Sequence, residues 1–76
     1  MKDIVLASLE NPSGNHCVDI FSRPDGTFGF EEFRRDWEGG GPWVSLNRYS
    51  RLVFKSEIVA RTQAASSVPW IAKSMQ

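Results

Sequence analysis

Cysteine is nearly absent: Cys17 stands alone in a chain of 76 residues. One thiol makes no internal disulfide, so the fold is not stapled like a small secreted domain, and the chain suits a reducing cytoplasm. Histidine is as scarce, with His16 its sole representative, so Cys and His together fall short of a structural zinc set. Excess charge is missing as well, since nine basic residues balance nine acidic ones for a formal net charge of zero. No overall field then draws the protein to nucleic acid or to an anionic membrane. Nor does much repulsion keep its copies apart. Long apolar runs are lacking too. The briefly apolar N-terminal run of residues 1–10, interrupted by Asp3 and Glu10, is too short for a signal core, and nothing approaches the roughly 20 residues of a membrane span. A cytoplasmic protein without a membrane partner is expected.

What the chain does hold is aromatic. Apolar residues reach 41% and aromatics 12%, against 24% charged, a balance that belongs to folded rather than disordered chains. The length allows one small domain, which buries only about 60–65% of the surface its unfolded chain exposes. Residues 15–76 are read as that domain, with 1–14 as a flexible or edge-strand segment ahead of it.

The clearest local signal is Arg23-Pro24-Asp25-Gly26. Proline pre-sets φ for the first turn position, Asp suits the second, and Gly accepts positive φ. The flanking runs alternate. Val18 and Ile20 share a face before the turn, as do Phe28 and Phe30 after it, so a hairpin of residues 16–22 and 27–35 is expected. Phe21 and Phe33 fall on the opposite face. Phe33 departs from the Phe28/Phe30 alternation, which implies a bulge near Glu31-Glu32 or a sheet covered on both sides. Residues 36–42, with three glycines and Pro42, read as a mobile breaker. A third strand is expected over 43–49, because a hairpin alone is marginal in water. Ser56 reads as an N-cap with Glu57 in the first turn of a helix over 57–67, its small residues Ala60 and Ala64 facing the sheet. Pro69 ends that helix, and Trp70 and Ile71 fold back as an apolar lid. The expected fold is α+β: a three-stranded antiparallel sheet with one C-terminal helix packed on one face.

Motifs that carry chemistry are few. His16 and Cys17 are adjacent, but neighbours in a strand point to opposite faces, so they do not form a nucleophile and base. Asp19, Glu31 and Glu32 read as a solvated hairpin face paired with Arg34, Arg35 or Lys55 rather than as acid and base. Gly39-Gly40-Gly41-Pro42 lacks the Lys-Ser/Thr and the following helix of a phosphate loop. No metal set, triad or cofactor motif appears, so neither enzymatic activity nor a cofactor is expected. Two binding readings remain. Phe21, Phe33, Trp37, Trp43 and Tyr49 would serve protein contact, since aromatics concentrate at interfaces. Arg34, Arg35, Arg48 and Arg51 beside those rings would serve single-stranded nucleic acid, although Glu31, Glu32, Asp36 and Glu38 dilute their field. A non-catalytic protein-interaction module, with a second copy or another protein as partner, is the first reading. A nucleic-acid-associated protein is the alternative.

The run from Asp19-Ile20-Phe21 through Arg23-Pro24-Asp25-Gly26-Thr27-Phe28-Gly29-Phe30-Glu31-Glu32-Phe33-Arg34-Arg35-Asp36, with Tyr49-Ser50 and Val68-Pro69-Trp70, resembles a family of small uncharacterised bacterial proteins. The resemblance covers roughly residues 15–72 and implies no activity. More distantly, the order of hairpin, strand and Ser-capped helix is similar to the YegP-like modules of unknown function. Those occur as tandem units with an Asn-Gly type of turn, whereas this chain has one unit and Asp25-Gly26.

Overall fold

The computed structural model describes residues 2–36 and 41–74. Its organising feature is the expected turn. The Gly26 amide donates to the Arg23 carbonyl at 3.0 Å, with Gly26 at φ 87°, a value only glycine adopts freely. The Asp25 carboxylate accepts from both the amide (3.0 Å) and the hydroxyl (2.7 Å) of Thr27, and these bonds hold its pKa below the ordinary value.

The first strand, β1 (Ile4–Glu10), forms the edge strand that residues 1–14 left open. It leads through a turn held by Asn11, whose side-chain oxygen accepts from the Asn15 and His16 amides. Then β2 (His16–Ser22) and β3 (Phe28–Arg34) form the hairpin, paired without interruption from Ser22 opposite Phe28 to His16 opposite Arg34. The unbroken register removes the bulge considered near Glu31-Glu32, and both sheet faces are covered instead. A bulge does occur in β1, where Leu6 is the extra residue between Val5 and Ala7.

The third expected strand is much shorter than 43–49. Only β4 (Val44–Ser45) pairs with β3, followed by the Leu46 amide on the Glu32 carbonyl. The chain then leaves the sheet, because Asn47 takes a left-handed φ of 52°. It returns at Phe54, which exchanges two 2.9 Å bonds with Phe28. The antiparallel sheet therefore has the order β1-β2-β3-β4, with three main strands and a short fourth.

Helix α1 (Glu57–Ser67) begins at Ser56, whose hydroxyl accepts from the Val59 amide at 3.2 Å. Ala60 and Ala64 are fully buried, and such small side chains let the helix lie close to the sheet. Val68, held extended ahead of Pro69, ends it. Pro69 then opens α2 (Pro69–Ser74) at the position where a missing N–H costs nothing. The expected lid is thus this short helix, and its Ile71 is buried. Val18, Ile20 and Phe30 meet Ala60, Ala64, Val68 and Ile71 in one core. Tyr49 packs on Phe30 with its ring tilted and Phe54 stacks on it, with ring centroids 4.9 and 5.8 Å away.

Candidate interaction surface and the buried carboxylates

Glu31 and Glu32 are not the solvated face that alternation suggests: they are 3% and 4% exposed. As strand neighbours they point to opposite faces, so they do not converge on one reacting atom. Glu32 lies on the helix side. Its Oε2 accepts from Trp70 Nε1 and from His16 Nδ1, each at 3.0 Å, and Arg48 Nη1 lies 3.6 Å from Oε1. This cluster ties α2, β2 and the loop after β4 to one strand. Glu31 instead accepts from backbone. Oε1 takes the amides of Tyr49 (3.1 Å) and Ser50 (3.0 Å), and Oε2 takes those of Glu32 (2.8 Å) and Arg48 (3.2 Å). Burial alone would push this carboxyl's pKa up, but the four amides outweigh it and leave it below the ordinary value. An ionised carboxylate committed to four amides organises a loop and has no proton to give.

Arg23 completes the same device from the other side. Its guanidinium donates to the carbonyls of Phe28 (3.0 Å), Ser50 (2.9 Å) and Leu52 (3.0 Å). It also lies over the Phe21 ring, 5.0 Å from the centroid. Phe21 is therefore buried rather than open for contact. Gly29, opposite it, gives up its side chain to this stack, since a Cβ there would lie 2.6 Å from Arg23 Nη2 and 2.9 Å from the Phe21 ring.

The remaining aromatic candidates disperse. Phe33 is half-buried opposite Cys17, Tyr49 sits against the core with its hydroxyl on the Ser67 carbonyl at 3.2 Å, and Trp37 lies outside the described residues. Trp43, 37% exposed, carries the Arg35 guanidinium 4.1 Å from its ring centroid. The arginines disperse as well. Arg34 pairs with Asp36 (3.2 Å), Arg35 with Glu10 (2.9 Å) and with the Gly14 carbonyl, Arg48 with Glu32, and Arg51 is exposed. Three of the four thus face carboxylates in three different places, and they do not form a stripe. His16 and Cys17 part as expected, His16 to Glu32 and Cys17 to the far face. Burial, with Asp19 and Glu10 adding to it, pushes the Cys17 thiol up to about 11.

What stands open is the edge. β1 ends the sheet, and its first residues are apolar and uncovered: Ile4 64%, Val5 54% and Leu6 40% exposed. A second exposed group, Leu52, Val53, Ile58 and Val59, belongs to the segment leading into α1 and its first turn. The sequence points to a ring-bearing sheet face together with an unpaired strand edge; Phe21 is buried and Phe33 half-buried, and the edge that stands open is β1 at Ile4-Val5-Leu6. Among the described residues no group of His, Cys, Asp and Glu fits a metal ion, and no helix is long and apolar enough to cross a membrane. No family model, curated protein or solved structure matches the chain.

Proposed function

We propose that this chain is a non-catalytic protein-interaction module of the cytoplasm that works through the open edge of β1, taking a strand from another protein chain, its own kind included. The observation that carries the reading is the exposure of Ile4, Val5 and Leu6 on a seven-residue terminal strand. An unpaired strand edge offers N–H and C=O groups in a row, and apolar side chains beside it add the area that makes strand addition stick. Of the expected surface, an aromatic sheet face with an unpaired strand edge, this reading keeps the edge and drops the face, because Phe21 is buried. Nucleic-acid binding has less support, because Arg34, Arg35 and Arg48 are engaged with carboxylates.

Cross-linking in extracts of the native cell, read by mass spectrometry, tests the proposal. Links to other protein chains should map to residues 2–10 and disappear in a Leu6→Lys variant. Links concentrated elsewhere, or unchanged by that variant, overturn it. Salt-dependent retention on single-stranded DNA would put the nucleic-acid reading in its place.

A further inference from the structure

We draw no further inference here: the strongest candidate, the exposed apolar surface patch of Leu52, Val53, Ile58 and Val59 at the entry to α1, carries nothing because nothing in the structure shows what covers it.

Discussion

Glu31 and Arg23 hold one loop by its two kinds of backbone group, the carboxylate taking amides and the guanidinium taking carbonyls. Removing the carboxylate strands three amides from the returning chain, at 48, 49 and 50, so Glu31→Ala should cost about 3 kcal/mol, read by denaturant unfolding. The same bonds set a pH dependence. The Glu31 carboxyl titrates lower in the folded protein than its ordinary value of 4.5, so its contribution is present above that value and is lost as the pH falls through the folded value. The parent's melting temperature should therefore drop below pH 4.5, and the Glu31→Gln melting curve should be flatter there. Gly29 is the other residue with no freedom. Gly29→Ala drives a methyl into Arg23 and the Phe21 ring, and Arg23 is pinned by three carbonyls, so a loss of about 1–3 kcal/mol is expected in thermal melts. Neither role is visible in the sequence. A buried glutamate looks like a surface one until the chain that covers it returns, and backbone amides leave no mark on residue identity.

Among the elements, those announced by local chemistry are the ones the sequence places well. The turn at Arg23-Pro24-Asp25-Gly26 dictates the hairpin, and β2 falls on the residues expected of it. Ser56 and Pro69 bracket α1 because a cap and a proline act on the backbone within a few residues. Ser56→Ala should accordingly lower stability by about 1 kcal/mol, measurable as a shift in the denaturant midpoint. The sheet's two edges are where reading stops. β1 has too few apolar residues to distinguish an ordered edge from a loose tail, and its place is decided by β2, whose inward groups it satisfies. β4 is short because Asn47 turns the chain outward, a choice that rewards the loop's bonds to Glu31 rather than any preference in residues 43–49.

At the scale of the molecule, Phe30 sits where everything meets, fully buried between Ile20, α1, Tyr49 and Phe54. Phe30→Ala should cost about 3–5 kcal/mol, as large a sum as a domain of this size has in total. The variant should show a collapsed or absent melting transition by circular dichroism. The other aromatics have two ways to be covered in a 76-residue chain, a core or the stem of an arginine. Phe21 takes the second, and spacing does not distinguish them. The loop hung from Glu31 and Arg23 has one more effect. It occupies the β3 border between Leu46 and Phe54, and the two residues of β4 are too few to seed further pairing. Among the described residues, the far border of the sheet therefore offers only the two residues of β4 to a further strand. Concentrated solutions should accordingly stay free of cross-β fibres in a thioflavin assay, because two residues are too short a border to propagate strand pairing.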